Sequence, residues 1–412
     1  MRLILFCLLC TAWLNSDIVK PGIDVLIYGP ELDRLRGKKI GLVTNHTAIS
    51  RNMEHTFDLL LAKEKTGGYQ IKALFAPEHG LFGGQHNSED VKSFVTKYGI
   101  PVHSLHGVTK RPTDDMLKGL DLIIYDIQDI GSRSYTYTTT MFYVIEEAAK
   151  RGIEVMILDR PNPLGGNIVD GPMLDSSLRS MVGYVNVPYC HGMTTGELAL
   201  YFNKEYAIKG KVHIIPMEGW KRSMTFADTG LSWIPTSPQI PESNTPFYYP
   251  MTGILGELSI VSIGVGYTLP FKVIGAPWID GKHFASYLNS QGFSGVHFEP
   301  FTFKPFFGKF SGEECQGAMI VIRDVSKIKP VRIQFLLLGA LKALYPKKFN
   351  EALQENKNRR DIFDKVIGNK DIFNILEKEA FVTWPLIEFD QKKLNAFMEK
   401  RISYLFPHYI PN

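Results

Sequence analysis

Along the first half of the chain, short apolar runs alternate with stretches of helical character. KKIGLVT (38–44), QIKALFA (70–76), PVHSLHG (101–107), LIIYDI (122–127) and EVMILD (154–159) have the length and apolar density of buried strands, and VHIIPM follows near residue 212. Helical stretches are predicted at 56–63, 114–120 and 139–150, the last closed by Gly152. Strands alternating with helices at this spacing predict right-handed crossovers and a mostly parallel sheet, an α/β fold. Residues 85–99 are polar and read as a loop.

Four successive strand ends carry polar groups. They are Asn45 and His46; Glu78 and His79; Asp126, Gln128, Asp129, Arg133 and Tyr135; and Asp159, Arg160 and Asn162. In open α/β sheets the carboxyl edge is where ligands bind, so the four clusters predict one shared rim. In LFAPEHGLFGG (74–84), Pro77 ends the strand ladder and Gly80, Gly83 and Gly84 permit a tight exit, leaving Glu78 at the strand's end.

Further along, PYCHGMTTGE (188–197) predicts a helix start with Thr194 as N-cap and Glu197 as its capping-box partner, which leaves His191 free to face a site. Residues 233–250 are rich in proline and aromatics, and predict an ordered loop along a groove with Trp233, Tyr248 and Tyr249 as flat faces. From Asp280 the composition shifts. GAMIVIRD, 331–344 and 361–377 predict a strand and two helices of a second, smaller α/β unit. The expected division is therefore a signal peptide at 1–16, a first domain at 17–275 and an auxiliary domain at 276–412.

A chain of 412 residues that is 44% hydrophobic can bury a full core. Its net charge of +4 and lack of a dense Lys/Arg block argue against a nucleic-acid partner. The apolar run at 3–14 is too short to span a bilayer and suits a secretory signal, so an exported, periplasmic or secreted protein without later membrane insertion is expected. Cys190 and Cys315 then remain, either as one disulfide or as two buried thiols. SIGVG (262–266) lacks the further glycine and helix of a dinucleotide loop, so no nucleotide cofactor is expected. His46, His79, Asp126, Asp159 and His191 could converge, but no HxH or HExxH pair supports a metal site.

Seven motifs in order, GLVTNHT, LFAPEHGLFG, DLIIYDIQDIGSRSYTY, LDRPNPLGG, HGMTTGELA, FADTGLSWIPTSPQIP and IGAPWID, give the chain its likeness to a known family. It resembles the exo-β-N-acetylmuramidase family of glycoside hydrolases, long known as a domain of unknown function. The resemblance implies a Rossmann-like domain without a nucleotide, an auxiliary C-terminal domain, and an active site in the cleft between them. It also implies release of N-acetylmuramic acid from the non-reducing end of peptidoglycan fragments, without cofactor or metal. The chain departs from the family pattern at Ile260, Val265 and Tyr267, where Asn, Arg and Thr are usual, and at Gln239, where Asn is usual. These positions bear on substrate preference.

Glycosidic cleavage needs a proton donor to the leaving oxygen and a group supporting the oxocarbenium-like centre. Glu78 is the expected acid, desolvated by Leu74, Phe75, Leu81 and Phe82. The second group is Asp126, the substrate's own 2-acetamido oxygen, or a tyrosine such as Tyr135 that orients it. Arg133 or Arg160 would bind the lactyl carboxylate, or would instead pair with a neighbouring aspartate. Asn45, His46, His79, Gln128, Asn162 and His191 would supply sugar hydrogen bonds. A non-catalytic binder of peptidoglycan fragments and a metal-dependent hydrolase are the competing functions.

Overall fold

The computed structural model describes residues 18–85 and 92–410; the expected signal peptide lies outside them. The chain enters through α1 (Gly22–Tyr28), β1 (Lys39–Thr44), α2 (Thr56–Gly67) and β2 (Gln70–Ala76). There follow β3 (Phe94–Val95), β4 (Pro101–Ser104), α3 (Asp114–Leu117), β5 (Leu122–Asp126), α4 (Thr136–Ala149) and β6 (Glu154–Leu158). A two-stranded hairpin, β7 (Asp170–Met173) and β8 (Pro188–Cys190), precedes α5 (Thr195–Glu205) and β9 (Val212–Ile215). Seven strands form one sheet in the order β3-β4-β2-β1-β5-β6-β9, and every neighbouring pair is parallel except β3 with β4. β3 is a two-residue edge strand inside the stretch expected to be a loop; it is too short for any periodicity to reveal.

The strands bury both faces because side chains alternate across a pleated sheet. Ile40, Leu42, Leu74, Leu122 and Ile124 pack beneath Leu59 and Leu60 of α2. Val43, Phe75, Ile123, Tyr125 and Ile157 point the other way, onto Met141 and Ile145 of α4 and Phe202 of α5. At the start of α5, Thr194 and Glu197 form the anticipated capping box.

The second half contributes α6 (Thr245–Glu257), β10 (Val273–Ala276), α7 (Gly281–Ser290), β11 (Val296–Phe303), β12 (Cys315–Ile322) and α8 (Pro330–Leu344). The helices α9 (Pro346–Glu355), α10 (Arg360–Ile367), α11 (Lys370–Lys378), α12 (Thr383–Glu388) and α13 (Gln391–Arg401) complete it. The strands form an antiparallel sheet in the order β10-β12-β11. Gly317 allows the central strand β12 to close on β10, since a Cβ there would lie 1.9 Å from the Ile274 carbonyl oxygen. The single helix predicted at 361–377 is two, separated where Gly368 adopts φ +87° as a left-handed cap.

The last third of the predicted 233–250 loop, from Thr245, is in fact the start of α6. Pro246 occupies the first turn, where proline is tolerated, and Pro250 lies inside the helix. Further along α6 the Ile254 and Leu255 amides donate to Gln334 Oε1 on α8, a residue eighty positions from Ile254. The core on the α4 side of the main sheet continues into α6 and α8, and Asp170 accepts from the Val331 and Arg332 amides at the α8 N-terminus. Cys190 and Cys315 are both buried free thiols.

Candidate active site

Glu78 follows β2 in a turn closed by the Gly80 amide on the Pro77 carbonyl, with His79 and Gly80 both left-handed at φ +67° and +76°. Gly83, at φ +73°, is pressed by the His46 ring, whose nearest atom would lie 2.2 Å from an added Cβ. His46 reaches onward, with its Nε2 2.7 Å from the Pro235 carbonyl oxygen. The ends of β1 and β2 and the 235–240 segment are thereby interlocked.

The Glu78 carboxyl is mostly buried. One oxygen accepts from Thr136 Oγ1 at 2.5 Å, and the other lies 3.9 Å from His106 Nε2. Thr136 opens α4, so a side chain from the end of β2 is held by the element that follows β5. Tyr135 donates to Thr236 Oγ1 at 2.9 Å and Tyr137 to the Thr236 carbonyl at 2.6 Å, fixing the segment that presents Ser237 and Gln239. Ser134 Oγ shares hydrogen bonds with the hydroxyls of Tyr189 and Tyr249.

These groups border a cavity of about 580 Å³, a volume typical of small-ligand sites. Its other wall is one face of α6, with Tyr249, Gly253, Gly256 and Glu257 at helical spacing, and Lys309 and Arg359 also line it. Burial pushes the Tyr135 hydroxyl above its ordinary range and that of Tyr249 up to about 12. Both therefore remain protonated hydrogen-bonding groups at neutral pH. Glu257 is the second carboxylate lining the cavity among the described residues. Burial raises it, while Arg359, donating to its carboxylate at 3.0 Å and to its carbonyl at 2.6 Å, opposes the rise.

Of the residues anticipated from the sequence, Glu78, His79 and Tyr135 line this cavity together. Asp126 does not. It is fully buried, forms a bidentate pair with Arg160 (2.9 Å for the Nη2–Oδ2 arm), and accepts from Thr56 Oγ1 at 2.5 Å. Arg160 also donates to the Ile49 carbonyl, so the aspartate and arginine satisfy each other beneath the rim and neither faces the Glu78 cavity. Arg133 is likewise buried. Its Nη1 donates to the Pro172 and Val187 carbonyls at 2.7 Å each, and its Nη2 to those of Val366 and Ile367 at 3.2 and 2.7 Å, which ties the two halves of the chain together.

Gln128 bridges the Asp129 and Pro161 carbonyls, Asn45 accepts from Thr47, and Asn162 links the Leu164 amide to the Met193 carbonyl. His191 is buried beside Arg401 and Arg133, with its imidazole pushed down to about 3 chiefly by burial, and it receives the Met193 amide. These side chains knit the strand-end turns and are absent from the cavity lining. Phe82, expected to shield Glu78, is 78% exposed; with Asn45, His46 and Phe94 it lines a separate cavity of about 620 Å³. Asp159 receives Thr194, Gly196 and Tyr409. Among the described residues, no three His, Cys, Asp or Glu side chains are grouped to hold a metal ion.

Sequence reasoning missed His106, Thr136, Glu257 and Lys309. Only Glu257 left a readable trace, as the last member of the 249, 253, 256 and 257 helical face.

Comparison with known proteins places this geometry in a wider set. The family description "Exo-beta-N-acetylmuramidase NamZ, N-terminal" matches residues 40–244, and "Exo-beta-N-acetylmuramidase NamZ, C-terminal" matches residues 247–406. The peptidoglycan beta-N-acetylmuramidase NamZ of Bacillus subtilis (strain 168) is 39% identical over 389 residues, covering 94% of this chain and 91% of that protein. Two crystal structures of DUF1343 family proteins from Bacteroides fragilis NCTC 9343 have a similar fold. One is 38% identical with a TM-score of 0.85, covering 94% of this chain and 98% of its own. The other is 27% identical with a TM-score of 0.71, covering 96% and 99%.

Proposed function

The chain belongs to the exo-β-N-acetylmuramidase NamZ family, and from that premise we propose that its Glu78 cavity receives the non-reducing N-acetylmuramic acid of a peptidoglycan fragment and releases it. The protein is a glycosidase of the β-N-acetylmuramidase type. The finer reading is that it acts on MurNAc-GlcNAc saccharides in cell-wall turnover or recycling, outside the cytoplasm as the apolar N-terminal run suggests.

One observation carries the assignment of the acid. Among the described residues, Glu78 is the carboxyl that both lines the cavity and is held by a neutral hydroxyl, whereas the other lining carboxylate, Glu257, is fixed by the Arg359 guanidinium. Glu78 is thereby the carboxyl placed to deliver a proton to the glycosidic oxygen. Thr136 orients it, and its location on the wall of a concave cavity sets it against a bound sugar. Asp126, sealed against Arg160, takes no part; Tyr135 and Tyr249 serve as hydroxyl donors that shape the sugar site.

The test is release of free N-acetylmuramic acid from MurNAc-GlcNAc by the purified chain. Glu78→Gln is expected to bind the disaccharide while kcat falls by roughly 10²- to 10⁴-fold. Unchanged turnover in that variant would remove Glu78 from the mechanism.

A further inference from the structure

We propose that Lys309 is the specificity residue of this site: its ammonium binds the carboxylate that distinguishes a muramyl sugar from a plain N-acetylhexosamine. The inference rests on the proposed function and assigns the anionic part of the substrate to a named cation. A carboxylate entering a partly desolvated cavity needs a compensating charge, or binding is lost to desolvation. The two arginines expected to provide it are committed elsewhere, Arg160 to Asp126 and Arg133 to four carbonyls. Among the described residues two Lys or Arg side chains line the cavity, and Arg359 already donates to Glu257. Lys309 makes no ion pair among the described residues; its ammonium lies 4.9 Å from the centre of the Phe310 ring.

The β11–β12 loop holds this lysine in place. The Phe306 amide donates to the Gly266 carbonyl at 2.7 Å, the Gly312 amide to Pro305 at 2.9 Å, and Ser311 Oγ to Phe306 at 2.8 Å. Phe306 stacks on Tyr267, with ring centroids 6.0 Å apart. Gly266, at φ +92°, lets the loop approach: a Cβ there would lie 2.0 Å from the Phe307 carbonyl oxygen. Val265, beside Gly308 on the cavity wall, brings no charge. A lysine side chain lining the cavity from an ordered loop can reach a carboxylate without first breaking an internal ion pair.

The experiment compares binding of N-acetylmuramic acid and of its lactyl methyl ester, which lacks the negative charge, to the full chain by calorimetry. The wild type should bind the acid about tenfold or more tighter than the ester, the size of a charge-assisted contact. Lys309→Met should bring the acid to the ester's affinity and leave the ester unmoved. Its KM for MurNAc-GlcNAc should rise by a similar factor with kcat close to wild type, and Lys309→Arg should recover most of the loss. If Lys309→Met weakens acid and ester alike, or neither, the assignment is overturned. A wild type that releases no N-acetylmuramic acid would count against the proposed function itself. Normal release with an unaffected Lys309→Met would count against the lysine alone.

Discussion

Replacing Asp126 by asparagine separates a catalytic carboxylate from a structural one. Asp126 is completely buried and faces three donors: two guanidinium nitrogens of Arg160 and the Thr56 hydroxyl. Asparagine preserves the shape but removes the charge and turns an N-H₂ toward one of these donors, leaving Arg160 as an uncompensated cation. Nearby Asp24 is 3.6 Å from Arg51, so that carboxylate is already engaged. Breaking one partner of a buried pair costs about 3–5 kcal/mol, a large share of the roughly 5–15 kcal/mol that holds a typical protein folded. Asp126→Asn should therefore shift the urea midpoint down strongly with little change in slope. At low temperature, kcat per folded molecule should stay within about threefold of wild type, against the 10²- to 10⁴-fold loss expected at Glu78. The double variant Asp126→Leu/Arg160→Met should recover much of the stability, because replacing both charges by apolar groups removes the unpaired cation. An Asp126→Asn protein with a wild-type midpoint and a hundredfold lower kcat would refute this reasoning.

Two further outcomes are expected. Gly253→Ala should stabilise the chain by up to about 1 kcal/mol, since the added methyl meets nothing nearer than 3.8 Å on a helix that gains propensity; Gly253→Phe, filling the same cavity, should raise KM, as thermal melts and steady-state kinetics would show. Burial pushes Asp129 up to about 7, and one of its oxygens is buried without a partner. The folded state then holds more protons than the unfolded state between about pH 4 and 7, so this group lowers stability as pH rises through that window. The Tm of Asp129→Asn, relative to wild type, should therefore improve from pH 5 to pH 8.

Local pattern was enough to read much of the architecture. The strands of the main sheet are continuous apolar runs because both faces are covered, and that composition is a property of each segment alone. The capping box at Thr194 and Glu197 is equally local, with two side chains three residues apart satisfying backbone amides of the same turn. Glu78 was legible because Pro77 and the glycines mark a strand end, and a strand end fixes the edge on which a side chain emerges.

Which of the rim residues face the cavity was a tertiary decision. Asp126 and Glu78 look alike in sequence, each a carboxylate at the end of a buried strand. Asp126 meets Arg160 from the neighbouring strand end and is sealed, while Glu78 crosses toward α4 and meets Thr136 and His106. The opposite wall, with Glu257 and Lys309, comes from α6 and a loop between antiparallel strands more than 170 residues further along the chain. Sequence by itself determined the strands, their caps and the edge at which chemistry could occur, because those follow from nearest-neighbour backbone and burial preferences. Only the folded chain decided which charges cancel and which remain to meet a substrate, because charge pairing depends on distances between segments that no local period encodes.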